Sequence, residues 1–119
     1  MANQIVWCDI PVKDLDRAIK FYSAVLAEKI ERQTMGDMTF APLHMKDGVS
    51  GCLCITDEAQ PSADGPLVYF NCDKRLDDAV AAVNRNGGKV VKPKHQIGPY
   101  GFRAVILDSE GNRIALHSK

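Results

Sequence analysis

Asp9 and His117 are of types able to move a proton and are the candidate acid–base groups of this chain. Asp9 lies two residues from Trp7, and a carboxylate desolvated beside an indole holds its proton more tightly, which suits a general base. The same Asp at a strand end can instead be hydrogen-bonded to a neighbour or to water. His117 can act as acid and base, or be a terminal histidine on a strand edge. Cys52 is a nucleophile by type, yet no His or Arg adjoins it in sequence, and a buried strand cysteine is inert. Trp7 offers a stacking face for a planar ligand, or fills space as a plug. Tyr69 and Asn71 can orient a ligand by hydrogen bonds, since such groups are costly to bury unpaired. Arg103 can pair with an anion or stand exposed on its strand. His44 and His95 stand alone and read as surface or loop residues.

Strand alternation decides which of these residues can meet. If Cys8, Ile10 and Val12 pack into a core, Trp7, Asp9 and Pro11 point the other way. The same parity groups Leu67, Tyr69 and Asn71 against Val68, Phe70 and Cys72. It groups Cys52 and Cys54 against Leu53 and Ile55, and Arg113, Ala115 and His117 against Ile114 and Leu116. All of the candidates can therefore share one apolar, partly aromatic face, which is the usual character of a small-molecule site.

The elements that carry them follow in order. Residues 5 to 12 alternate as a half-buried strand. Asp14 is placed to cap a helix whose stripe is Leu15, Ala18, Ile19, Tyr22 and Leu26. Short strands are expected near 29 to 34, 38 to 45 and 49 to 55, the last two joined by a turn at Lys46-Asp47-Gly48. The polar run from Thr56 to Pro66 reads as a linker. LVYFNC is then a strand, Asp73 a cap, and Leu76, Ala79, Val80 and Val83 a helical stripe closed by Gly87-Gly88. KVV is a short strand and HQIGPYG a loop of breakers. FRAVILD and NRIALHS form a final hairpin turned at Ser109-Glu110-Gly111.

The second half repeats the first. Leu15, Ala18, Ile19 and Ile30 recur as Leu76, Ala79, Val80 and Val91, each 61 residues later, and Gly48 and Leu53 recur as Gly111 and Leu116, 63 residues later. Such a repeat implies a duplicated βαβββ module. The expected organisation is one domain over 1–119, with module one at 1–55, a linker at 56–65 and module two at 66–119.

The chain has 119 residues and zero formal net charge, so nothing favours capture of nucleic acid or of an anionic membrane. No apolar run approaches the length of a membrane span, and the N-terminus lacks a signal-peptide pattern, so the chain reads as cytoplasmic. Four cysteines fit that compartment as free thiols. Cys52 and Cys54 form C-x-C, which is neither a zinc-ribbon nor a thioredoxin-type spacing.

IPVKDLDRAIKFYSAVLAEK resembles the opening strand and helix of the vicinal oxygen chelate superfamily, and LDSEGNRIALHS resembles its closing hairpin. That superfamily includes lactoylglutathione lyase, bleomycin-resistance proteins, fosfomycin-resistance enzymes and extradiol dioxygenases. The resemblance covers essentially the whole chain. It implies an α+β fold in which two βαβββ modules curl an eight-stranded mixed sheet into a U-shaped cleft. It also implies metal ligands on the first and fourth strands of each module. Those positions fall here at Trp7, Cys52, Leu67 (or Val68, one residue on) and Ala115. Only Cys52 could serve a metal, so no cofactor is expected at that position. The expected function is metal-independent binding of a small, partly apolar or aromatic compound by Trp7, Cys52, Leu67, Tyr69, Asn71 and Arg103. The alternatives are a glyoxalase-type lyase or isomerase, using an unconventional metal site or Asp9 and His117 as acid and base, and a drug-sequestering resistance protein. A homodimer is expected, because open sheet edges need cover. The loop KPKHQIGPYGF, with Tyr100 at its tip, is a candidate lid or a plain connection.

Overall fold

The computed structural model describes residues 3–119. Module one runs β1 (Asp9–Pro11), α1 (Leu15–Leu26), β2 (Gln33–Met35), β3 (Met38–Pro42) and β4 (Cys52–Cys54). Module two runs β5 (Val68–Asn71), α2 (Leu76–Arg85), β6 (Lys89–Gln96), β7 (Phe102–Leu107) and β8 (Arg113–Ser118), with a single 3-10 turn at Gly98–Tyr100. The strands form two four-stranded sheets, β1-β4-β3-β2 and β5-β8-β7-β6. Each has one parallel pair, β1 with β4 and β5 with β8, and is otherwise antiparallel.

Helix α1 forms where Leu15, Ala18, Phe21, Tyr22 and Val25 recur on one buried face. Asp14 caps it as expected, its Oδ1 accepting from Arg17 N at 3.0 Å. The expected cap at Asp73 is not formed. The side chain of Asn71 accepts the Asp73 N–H, Lys74 turns left-handed, and α2 starts at Arg75 with no side-chain cap. Asp73 Oδ1 accepts from Lys119 N instead, at 2.8 Å. Gly88 has no room for a side chain, since a Cβ there would meet the Phe21 ring and Leu107 O. It is the point where α2 hands the chain to β6 under α1.

Several strands differ in extent from the sequence reading. The first ladder holds only at Asp9–Pro11, and Ile5, Val6 and Trp7 precede it as exposed, unladdered chain. Ile30 is buried but not in a strand. By contrast β6 runs on through Lys92–Gln96, which had read as loop. It is an edge strand, so Pro93 costs no ladder bond, and two register shifts absorb the irregularity.

One core lies under both helices, joining Ile10, Ala41 and Leu53 of the first sheet to Ile106, Ile114 and Leu116 of the second. Full burial of side chains such as Phe21, Leu53 or Leu116 contributes about 1.5–3 kcal/mol each. Polar ties on this side cross between modules. Tyr22 Oη donates to Asp108 Oδ2 at 2.5 Å, Asn112 Nδ2 donates to Pro11 O at 2.9 Å, and Arg75 Nη1 donates to Val25 O at 2.6 Å. Glu110 reaches the first turn of α1, accepting from Lys13 N and Asp14 N at 2.8 Å and from Arg17 Nε at 2.7 Å. With one face of each sheet committed to the core, the other faces are left for ligands.

Candidate functional site

Register makes the modules superimposable position by position. Asp9 pairs with Cys52 as Tyr69 pairs with Ala115. Phe40 pairs with Cys54 as Arg103 pairs with His117. The equivalent open-face positions are therefore Asp9 and Tyr69, Cys52 and Ala115, Cys54 and His117, and Phe40 and Arg103. Two distinct clusters result.

The module-two cluster is built around Arg103. Its Nη1 donates to Tyr69 Oη at 2.6 Å, and its Nε donates to His95 Nε2 at 3.0 Å. The guanidinium also lies 6.0 Å from the centre of the Tyr69 ring. His95 accepts at Nε2 because its Nδ1–H donates to Pro93 O at 2.9 Å, which selects the neutral tautomer carrying its proton on Nδ1. His117 donates Nε2–H to Tyr100 O at 2.6 Å and sits edge-on to Tyr69 with ring centres 6.1 Å apart. Tyr69, Ile97, Tyr100, Arg103 and His117 line a cleft of about 570 Å³. Because Tyr69 Oη accepts from Arg103, its own O–H remains able to donate. The arrangement is an apolar, aromatic cleft with one oriented guanidinium and a hydroxyl donor.

The module-one cluster is built around Asp9. Trp7 Nε1 donates to Asp9 Oδ1 at 2.9 Å, and the Cys52 thiol donates to the same oxygen at 3.4 Å. The Cys54 thiol points to Ile10 O at 3.8 Å. One ligand atom each from Asp9, Cys52 and Cys54 lie within 4.8 Å of one another. Gly51 lets the two segments approach, since a Cβ there would fall on Cys8 O, just ahead of β1. Burial, the Asp9 hydrogen bond and the nearby Cys54 and Asp9 charges push the Cys52 thiol up to about 12. Burial, followed by Asp9, also raises Cys54. Neither cysteine is an activated nucleophile as it stands.

The sequence candidates thus divide. Tyr69, Arg103 and His117 come together, as do Trp7, Asp9 and Cys52. Asp9 and His117 lie in separate sheets with separate partners. Trp7 does not line the cleft of Tyr69. Asn71 spends its Oδ1 on the turn at Asp73 and lines a second cavity, of about 470 Å³, with Leu43, His44 and Ser50; Tyr69 borders this cavity as well as the first. Leu67 is half-buried just before β5 and offers no polar atom. Sequence reading missed His95, hidden by Pro93 in what read as a loop. It also missed Cys54 as a partner of Asp9, since these residues come from parallel strands far apart in sequence.

A family model, Glyoxalase/Bleomycin resistance protein/Dioxygenase superfamily, matches residues 4–116. The chain belongs to this superfamily. A glyoxylase-like domain-containing protein from Didymella fabae is 29% identical, covering 96% of this chain and 92% of its own. A glyoxalase/bleomycin resistance protein from Albidiferax ferrireducens T118 has the same fold, with a TM-score of 0.75 at 20% identity and coverage of 98% of this chain and 99% of that one. A fosfomycin resistance protein from Listeria monocytogenes gives a TM-score of 0.68 at 17% identity, covering 100% of this chain and 95% of that one.

The residues at the positions where the resemblance implies metal ligands do not make a donor set for a metal. The indole N–H of Trp7 is only a donor and is spent on Asp9, while Leu67 and Ala115 carry no lone pair. Cys52 alone cannot supply the three or so protein ligands that a catalytic metal needs. Among the described residues, no helix is long and apolar enough to cross a membrane.

Proposed function

We propose that this superfamily member is a binding protein for a small, partly aromatic carboxylate, held in the module-two cleft without a metal at the superfamily position. We take 1–119 as one such domain, with residues 56–65 joining the modules. The observation that carries the reading is Arg103, fixed from two sides by His95 and Tyr69 at the wall of an apolar cleft. A guanidinium oriented before the ligand arrives loses little freedom on binding and pairs with a carboxylate through two parallel N–H groups. Tyr69 O–H can add a third bond, and Ile97 and Tyr100 can cover the apolar part of the ligand. The Asp9/His117 acid–base alternative has less support, because the two groups have separate surroundings. Sequestration without turnover remains within the binding reading.

The test is calorimetric titration with a panel of small aromatic and aliphatic carboxylates. Saturable binding is expected, weakened at least tenfold by Tyr69→Phe and more by Arg103→Ala. A panel without a binder, or binding indifferent to both substitutions, overturns the proposal. We further propose a homodimer, supported by exposed Ile5, Val6, Met35, Met38 and Ile55 and by the unpaired edge strands β2 and β6. Sedimentation at micromolar concentration should give twice the chain mass, and a monomer refutes it.

A further inference from the structure

We propose that Asp9, Cys52 and Cys54 form a three-ligand site for a thiophilic divalent cation of the zinc type, with a fourth position open to water or a small ligand. The site lies wholly within module one and does not depend on the carboxylate reading of module two. It shares Cys52 with the superfamily positions but takes its other two donors from residues outside them, and it departs from the sequence expectation that no metal is held.

The geometry carries the inference. For tetrahedral zinc, with Zn–S about 2.3 Å and Zn–O about 2.0 Å, the sulfur–oxygen separation is about 3.5 Å and the sulfur–sulfur separation about 3.8 Å. Cys52 Sγ already lies 3.4 Å from Asp9 Oδ1, and all three donors fall within 4.8 Å. Small side-chain rotations close the triangle. Both cysteines are on one strand at alternate positions, so β4 fixes their common direction, and the parallel pairing sets Asp9 opposite Cys52. The carboxylate is held from outside by Trp7 Nε1 at 2.9 Å, the kind of supporting hydrogen bond that orients a metal ligand. Its Oδ2 has no protein partner among the described residues. Asp9 is exposed while both thiols are buried, so the fourth position faces solvent.

Electrostatics and chemistry agree. Burial is the largest obstacle to thiolate formation at both cysteines, and charge adds to it: Cys54 and Asp9 at Cys52, and Asp9, Cys8 and Glu58 at Cys54. A cation is the natural relief for such a field. Two sulfurs select zinc-like ions over calcium or magnesium. Binding converts two S–H bonds to two S–metal bonds and releases two protons per ion at neutral pH. Module two, with Tyr69, Ala115 and His117 at the equivalent positions, has no such donor set.

The test is titration of the reduced full-length protein with Co²⁺, following the visible absorption of tetrahedral thiolate cobalt, the quenching of Trp7 fluorescence and the proton release in weak buffer. One equivalent should bind per chain, release about two protons and be displaced by Zn²⁺. Cys52→Ser and Cys54→Ser should each weaken binding at least 100-fold. Asp9→Asn and Trp7→Phe should weaken it by about 10- to 100-fold. Cys8→Ser and Cys72→Ser should change nothing. Should a β4 variant fail to fold, Asp9→Asn at its exposed position carries the test. No saturable absorption, a signal that survives Cys54→Ser, or equal loss in Cys8→Ser overturns the proposal. Arg103→Phe should leave Co²⁺ binding intact, which separates this outcome from that of the carboxylate reading.

Discussion

The two open faces start from the same backbone and end in opposite chemistry. Where module two places Tyr69, His117 and Arg103, module one places Asp9, Cys54 and Phe40 at the same register positions. One face is cationic and aromatic and suits an anion. The other is acidic and sulfur-rich and suits a soft cation. The buried faces have not diverged in this way: Ala41 and Ala104 are equivalent and both fully buried. In this chain, duplication preserved what packs under the helices and left the outward positions to differ. The fold therefore sets where a site is and says little about what it binds.

The sharpest way to break the comparison is to give module two the residue of module one. Arg103→Phe should remove carboxylate binding by about 3 kcal/mol, the scale for losing one partner of an oriented charge pair. Retained affinity in calorimetry would mean that the difference between the faces has no functional content.

The next effect is on stability, at the hairpin turns. Glu110 of the module-two turn is buried and accepts from Arg17, Asp14, Ser109 and Lys13, whereas Asp47, at the equivalent place in the Lys46-Asp47-Gly48 turn, is exposed. Glu110→Gln should cost about 2–3 kcal/mol in denaturant unfolding, somewhat below a fully buried pair because Arg17 is half exposed. Asp47→Asn should stay within about 0.5 kcal/mol. Burial raises the Glu110 carboxyl, but the hydrogen bonds from Arg17, Asp14, Ser109 and Lys13 outweigh it and bring it from 4.5 down to about 2. A lowered folded value stabilises above the unfolded one and loses that contribution as protons bind. Wild type should therefore lose stability as pH falls from 4.5 towards 2, and Glu110→Gln should lose less across that window. Identical acid limbs would remove Glu110 from the account.

Smaller and more symmetric effects test the shared core. Ala41→Leu and Ala104→Leu should each cost about 1–3 kcal/mol by overpacking, and by similar amounts. A large disparity in their unfolding midpoints would show that the buried faces too have diverged. Smallest of all, Trp7→Phe should cost about 1 kcal/mol of stability through the lost Asp9 hydrogen bond. It should also leave carboxylate binding unchanged, since Trp7 lies outside the module-two cleft.

Much of this architecture was legible in the residues. The caps at Asp14 and Gly87, the helical stripes and the hairpin turns are local signals, whereas strand parity fails where the ladder ends: Trp7 and Leu67 precede their strands, and Ile55, expected in the core, is exposed just past β4. Contacts made across strands were not legible. Asp9 meets Cys52, and Cys54 two residues on, through a parallel pairing that no short window shows, and His95 was concealed by a proline that an edge strand tolerates. The expectation that Trp7 and Tyr69 line a single cleft assumed that pseudo-symmetric strands bring equivalent groups together. The strands pair within their own modules, and each residue is tied to neighbours of its own sheet.

Glu110 also makes the two halves separable as reagents. Its bonds to Lys13, Asp14 and Arg17 span 93 to 97 positions of sequence, and with Tyr22–Asp108 and Asn112–Pro11 they join the modules without help from residues 57–61. A peptide bond cut in that stretch severs none of them. The chain is thus suited to fragment complementation: two separately made pieces should reassemble into one particle, each bringing its own open face, so that the soft-cation and anion sites can be varied independently and then combined.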